Sequence, residues 1–297
     1  VVKTLDGGIN FFNTADAYAG GQSEEMLGGA LGARRKDVVI ATKVGFRTGK
    51  DLIHTGLSRR HIIASAEGSL RRLATDYIDV FPVHRQDPVT PLKERSNHWT
   101  FWCVRGKVRY IGFSNWQTWM AAKAVGIQQA HGRERFRAGE IYYSLIGRDL
   151  EHEMVPFAED AGIGIMVWSP ITGGFLTGKY TREDPTGGGG RLTGFDFIPF
   201  DREWGFKVVE CLVEIAASLK AKPSQVALAW LLSRKQVASV LPGASKLGQL
   251  LDNIGAADLK LEPDVLKSLD ERTAQAKPYP NWYNEKTGDG EVTAALS

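Results

Sequence analysis

Short apolar runs that end in polar residues recur along the chain, separated by longer stretches of helical periodicity. Such runs mark strands covered on both faces, as in parallel sheets flanked by helices. The first spans residues 9–12, between Gly7-Gly8 and the polar pair Asn13-Thr14. Further strands are predicted at 37–44, 77–83, 107–113, 140–144, 163–168 and 237–241. Between them, the tail of an amphipathic helix ends at Gly7, and a helix at 23–31 has Ser23 as its N-cap with Glu24 and Glu25 in the first turn. Ser58 caps another that runs to Leu73, with Ile62, Ile63, Ala66 and Leu70 on one side. Helices are also expected at 205–220, at 223–234 with Pro223 in the first turn, and at 247–254. The stretch 92–105 reads as a poor helix, its aromatics crowded at Arg95–Trp102.

Seven β-then-α units without an intervening hairpin leave two architectures, a (β/α)8 TIM barrel or a very long doubly wound sheet. Polar residues end nearly every strand, as expected when all strands converge on one ring; a doubly wound sheet would gather them at a switch point. No GxGxxG follows the first strand. The barrel is therefore the expected α/β fold, in a single domain over residues 1–297 with a C-terminal tail from about 275.

Composition agrees with this picture. A chain of 297 residues that is 43% hydrophobic can bury a large core, and no linker divides it. The net charge of +3 comes from 37 basic and 34 acidic residues spread along the chain. Without Lys/Arg blocks, neither a nucleic acid nor a membrane surface is the expected partner, although a mildly basic pocket for an anionic cofactor is allowed. Cys103 and Cys211 lie in apolar, helix-like surroundings and read as core thiols. With no signal peptide or spanning segment, the expected compartment is the cytoplasm. The six His are scattered and neither CxxC nor HExxH occurs, so no metal is expected. The run Gly187–Gly190 follows a strand end, where it suits a lid hinge.

The polar strand ends suggest chemistry. A phenol, with reference pKa about 10, becomes a usable acid and base when a cation sits beside it. Tyr18 with Lys43 fits that pairing, and His84 fits a donor that orients a carbonyl oxygen. Trp168 offers a flat face to an aromatic ring, and Ser114-Asn115 offer hydrogen bonds that match an amide. Singly, each of these residues has an ordinary structural role; their joint placement on successive strand ends is the signal.

Five blocks, GINFFNTADAY (8–18), ATKVG (41–45), DVFPVHR (79–85), GKVRYIGFSN (106–115) and WSPITGGFLTGKY (168–180), resemble those of the aldo-keto reductase family, in order. The resemblance implies a (β/α)8 barrel, bound NADP(H), and reversible carbonyl reduction by an Asp, Tyr, Lys, His tetrad that falls on Asn13, Tyr18, Lys43 and His84. It implies carboxamide contacts at Ser114, Asn115 and Glu140, and stacking on Trp168. Pyrophosphate contacts map to Ser169, Pro170, Gly174, Leu176, Gly178, Lys179 and Arg191. Those for the 2′-phosphate and adenine map to Gly243, Ser245, Lys246, Gln249 and Asn253, and Lys246 leans toward NADP over NAD.

Three departures from the family pattern carry expectations. Asn13 stands where the family has Asp, so a buried Lys43 should lose its counter-ion at a cost of a few kcal/mol, weakening turnover that Asn13→Asp would restore. Asp16 is expected at a solvent-facing turn, as a helix-entry acid. Glu140 replaces a Gln and cannot donate to a carboxamide carbonyl, so nicotinamide should be held more loosely unless Glu140 is protonated. The family's N-terminal hairpin and first barrel strand have no counterpart before the helix that ends at Gly7, which leaves an unpaired seam or a gap filled by another segment. The expected function is NADPH-dependent reduction of small aldehydes or ketones, with the substrate selected by Phe46, Trp116 and the segment after Gly187. The alternative is a catalytically silent nicotinamide-binding subunit that reports cofactor state to a partner. A sugar-phosphate-binding barrel without nicotinamide ranks third.

Overall fold

Seven strands, β1 Phe11–Asn13, β2 Val39–Ala41, β3 Ile78–Val83, β4 Val108–Ser114, β5 Phe136–Tyr142, β6 Gly164–Trp168 and β7 Val237–Leu241, form one sheet in chain order. Each neighbouring pair is parallel. The structure, a computed structural model, describes residues 1–93, 103, 105–194, 197–290 and 292.

One contact shows that this sheet is curled. Asn13 on β1 and Glu140 on β5 meet at 2.7 Å, whereas four strand spacings in a flat sheet would hold them roughly 19 Å apart. Phe11 and Leu241, from the two edge strands, also pack against one interior cluster of Ala41, Val80, Ala138 and Met166. The architecture is a (β/α)8 barrel one strand short, with its seam between β1 and β7.

The main core lies outside this lean interior, between sheet and helices, where Phe81, Ile111, Phe113, Phe136 and Trp230 are buried. β3 is buried along its whole length, which explains its continuous apolar run. Gly112 lets β4 approach β5 closely, since a Cβ there would lie 2.5 Å from the Ala138 carbonyl oxygen.

Among the described residues the helices are α1 Val2–Asp6, α2 Gln22–Leu31, α3 Arg59–Arg72, α4 Thr118–Ala130, α5 Met154–Ala161, α6 Arg202–Ser218, α7 Pro223–Leu232, α8 Leu247–Ile254, α9 Pro263–Arg272 and α10 Asn281–Thr287. Ser58 caps α3 as expected, its hydroxyl accepting from the His61 N–H at 3.3 Å. Asp201 caps α6 through the Glu203 and Trp204 N–H groups. The thiols are free, with Cys211 buried in α6 and Cys103 half-buried. Among the described residues, no helix is long and apolar enough to cross a membrane. The segment from 275 is tied to the chain after β5, Gln275 donating to the Ile146 carbonyl at 2.7 Å and Asn281 to that of His152 at 3.1 Å.

Several expectations need correction. Ser23 is not a cap: α2 begins one residue earlier, after Gly21 at φ 97°, and the Ser23 hydroxyl bonds Thr14 Oγ1 at 2.8 Å. Glu24 stands in the first turn as expected, and it is buried there, accepting from Thr42 Oγ1 at 2.5 Å and Arg72 Nε at 2.7 Å. β5 starts at Phe136, because exposed Arg137 interrupts an otherwise buried run, and the chain turns at the Ser144–Gly147 bridge. The run Gly187–Gly190 folds over the buried Tyr180 ring, and Asp184 holds its turn by accepting from the Gly188 N–H at 2.8 Å. Most of the expected helix at 92–105, with its Arg95–Trp102 stretch, lies outside the described residues.

Candidate active site

Hydrogen bonding continues past the strand ends and assembles the site. Beyond β1, the Thr14 N–H bonds the Ala41 carbonyl at 2.8 Å and the Asp16 N–H bonds that of Lys43 at 3.1 Å. Loop residues 14–16 are thus pinned along β2, and Tyr18 is delivered to Lys43. Beyond β2, Val44 bonds Pro82 at 3.3 Å and His84 bonds Val44 at 2.8 Å. Gly45 makes this approach possible at φ 127°, where a side chain would be strained and its Cβ would press on Leu57 at 3.3 Å.

Lys43 is fully buried, yet its ammonium meets four oxygens. It donates to Asn13 Oδ1 at 2.6 Å, to the Thr14 carbonyl at 2.9 Å and to Tyr18 Oη at 3.3 Å, and it pairs with Glu140 Oε1 at 3.2 Å. Asn13 Nδ2 donates to Glu140 Oε2 at 2.7 Å. Charge fixes this amide's orientation, oxygen toward the ammonium and NH2 toward the carboxylate. Tyr18 Oη lies 3.4 Å from His84 Nε2, and Phe46 packs edge-on to the imidazole at 4.4 Å between centroids.

A second branch leads to Trp168. Its indole N–H donates to Asn115 Oδ1 at 3.0 Å, and Asn115 Nδ2 donates to the His84 carbonyl at 3.2 Å and Ser114 Oγ at 2.9 Å. Ser114 Oγ in turn donates to the Glu140 carbonyl at 2.8 Å. Tyr142 supports the indole, the ring centroids 5.2 Å apart. One network therefore joins the polar ends of β1 to β6.

Electrostatics set the protonation states. Burial lowers the Lys43 pKa, and the negative charges of Glu140, Asp16 and Glu24 oppose that fall. Desolvation, with Glu140's charge added, pushes Tyr18 up to about 12, so the phenol stays protonated although it is 40% exposed. Burial, Lys43 and Arg85 together push His84 down to about 3, leaving a neutral imidazole.

Comparison with known proteins agrees with this geometry. Residues 1–273 match the sequence profile of the Aldo/keto reductase family. The chain belongs to that family. It is 37% identical over 282 residues to a "Putative voltage-gated potassium channel subunit beta" of Schizosaccharomyces pombe, an alignment covering 91% of this chain and 81% of the relative. It is 34% identical to a "Probable voltage-gated potassium channel subunit beta" of Oryza sativa subsp. japonica and, likewise, to one of Arabidopsis thaliana. Each of those alignments covers 92% of this chain and 85% of the relative.

Asn13, Tyr18, Lys43 and His84, the positions on which the resemblance puts the family's tetrad, lie in one cluster. The fit to a nicotinamide is narrower than expected. The side-chain donors of Ser114 and Asn115 are already used within the protein, which leaves acceptor sites suited to a carboxamide NH2. Trp168 keeps part of its ring open. Ser169 accepts from the Gly173 N–H at 3.2 Å, beside buried Pro170 and Gly174 at φ 96°. Leu176 is fully buried, so only its backbone can face a ligand, and Gly178 packs against Pro223 and Val213. Lys179 lies over Tyr180, and Arg191 opens an exposed turn. Pairing of Trp168 with Leu241 puts Gly243 at the same end of the barrel. Beyond it, Gln249 Oε1 accepts from the Ser245 and Lys246 N–H groups at 3.2 and 3.3 Å, on an exposed surface that ends near half-buried Asn253.

Three site expectations are overturned. Lys43 keeps a carboxylate partner, because Glu140 reaches it across the barrel. Asp16 is buried and accepts from the Ser65 hydroxyl, and its burial raises its pKa to about 6. Trp116 packs between Phe113 and Phe136 in the core, so it cannot select a substrate. Sequence reasoning also missed the Thr14 carbonyl, which carries no side-chain signal, and the support given by Tyr142.

Proposed function

We propose that this chain is an NADP(H)-dependent oxidoreductase that reduces small aldehydes or ketones to alcohols. The reading rests on the meeting of Tyr18, Lys43 and His84, whose contacts of 3.3 and 3.4 Å converge on one phenolic oxygen at the open end of the barrel. When bound, the nicotinamide supplies a hydride to the carbonyl carbon. Tyr18, held protonated, gives its proton to the carbonyl oxygen as negative charge grows there. Lys43 already donates to the phenolic oxygen and stabilises the phenolate left behind. Neutral His84 has Nε2 beside the same spot, where it orients the substrate oxygen. Phe46 contributes an apolar wall.

Trp168 and the acceptors of Ser114 and Asn115 would hold the nicotinamide, with Lys179 and Arg191 toward the phosphates. The preference for NADP over NAD rests on Lys246, and Ser245, where the family has an arginine, weakens it. NADPH consumption measured against a panel of small aldehydes tests the proposal: turnover is expected, and binding without turnover across the panel contradicts it.

The relatives' names favour a second reading, a nicotinamide-binding subunit that reports cofactor state to a partner. It predicts that contrary result, tight NADPH binding with no aldehyde consumed.

A further inference from the structure

We infer that Glu140 is the counter-ion of Lys43, and that Asn13 and Glu140 form an exchanged pair in which the negative charge has moved across the barrel from β1 to β5. Glu140 is then a positioning residue acting on Tyr18 through Lys43, and its carboxylate is not free to serve as a carboxamide ligand. The inference rests on the proposed reductase reading only for its effect on turnover.

The geometry carries it. Lys43 is fully buried, and a buried ammonium needs a charge partner. Among the described residues no other carboxylate pairs with Lys43: Asp16 accepts from Ser65 through one oxygen and leaves the other without a partner, and Glu24 bonds Thr42 and Arg72. Both oxygens of Glu140 are instead turned into the site, Oε1 to Lys43 at 3.2 Å and Oε2 to Asn13 Nδ2 at 2.7 Å. Asn13 closes the triangle at 2.6 Å from Lys43.

The arrangement is symmetric to exchange. Asn and Asp have the same shape, as do Glu and Gln. Asn13→Asp combined with Glu140→Gln therefore keeps each hydrogen bond of the triangle, with donor and acceptor reversed between positions 13 and 140. Each single change breaks the balance. Glu140→Gln leaves the ammonium among neutral oxygens in the triangle and at Thr14 and Tyr18, and Asn13→Asp puts two carboxylates in contact where an amide donor had met one.

The four proteins of this cycle test the inference by melting temperature and by pH profile. Each single variant is expected to melt several degrees lower than the parent, and the double variant to regain most of the loss. In turnover with an aldehyde, Glu140→Gln is expected to lose about tenfold in kcat. The alkaline limb of its reduction profile should move to lower pH, because Tyr18 loses a charge that favours the phenol and Lys43 loses one that favours the ammonium. His84, Asp16, Glu24 and Arg85 also face this cluster and are the same in all four proteins, so the double variant should return the limb toward its original position. Melting losses that simply add in the double variant, or an alkaline limb unmoved in Glu140→Gln, overturn the inference. If the parent reduces no aldehyde, the functional reading fails, and the melting cycle alone still decides the charge exchange.

Discussion

Tyr18 Oη and His84 Nε2 stand 3.4 Å apart, while His84 Nδ1 is buried without a hydrogen-bond partner. An imidazolium in that position would hold an unsatisfied charged donor beside Lys43, which is why the ring stays neutral and its pKa falls to about 3. Through the range below about pH 6.5 the unfolded chain binds this proton and the folded chain does not. His84 therefore makes the protein less stable as pH drops from there toward 3. NMR of the imidazole should show no titration of His84 between pH 7 and about pH 4, and a midpoint near the ordinary value of about 6.5 would contradict the assignment.

Asp16 has the opposite sign. Its folded pKa of about 6 lies above the unfolded value, so the folded chain binds the extra proton and stability declines as pH rises from about 4 through 6. The contribution is on the order of 3 kcal/mol. Urea unfolding across that window should lose this slope in Asp16→Asn, whose carbonyl still accepts from Ser65. An unchanged slope would show that another group is responsible.

Glu24 and Arg72 hold α2 against α3 through a 2.7 Å pair in which the carboxylate is buried. Arg72→Met strands that charge with Thr42 as its neighbour and is expected to cost on the order of 3 kcal/mol in urea unfolding. Adding Glu24→Gln should recover much of the loss. A cost below about 1 kcal/mol, the range of exposed pairs, would contradict the argument.

Trp168 is braced by Tyr142 and by its bond to Asn115, a rigid mount for a stacking surface. Trp168→Ala should weaken NADPH binding about tenfold by calorimetry, roughly 1.4 kcal/mol. Trp168→Tyr should keep much of the affinity, because a flat ring remains. Equal affinity in Trp168→Ala would remove the indole from the cofactor site.

The architecture was readable because buried parallel strands leave apolar runs, and β3, β6 and β7 fall within a residue of expectation. Glycine and polar boundaries placed Tyr18, Lys43 and His84 at the ends of those runs. The network's partners were less readable, since contacts across the barrel join residues far apart in sequence. Asn13 and Glu140 are separated by 127 positions, and each looked like a loss when considered alone. Burial misled in the same way at Asp16 and Trp116, where residue type suggested an exposed site and packing decided otherwise.

Steady-state NADPH oxidation with a small aldehyde, compared between the parent protein and Tyr18→Phe, tests the central claim most directly. The phenyl ring fills the same place and lacks the proton, so kcat should fall by about 100-fold or more while NADPH affinity stays the same. Equal turnover by the two proteins, or none by the parent with any aldehyde, would contradict the assignment of Tyr18 as the proton donor.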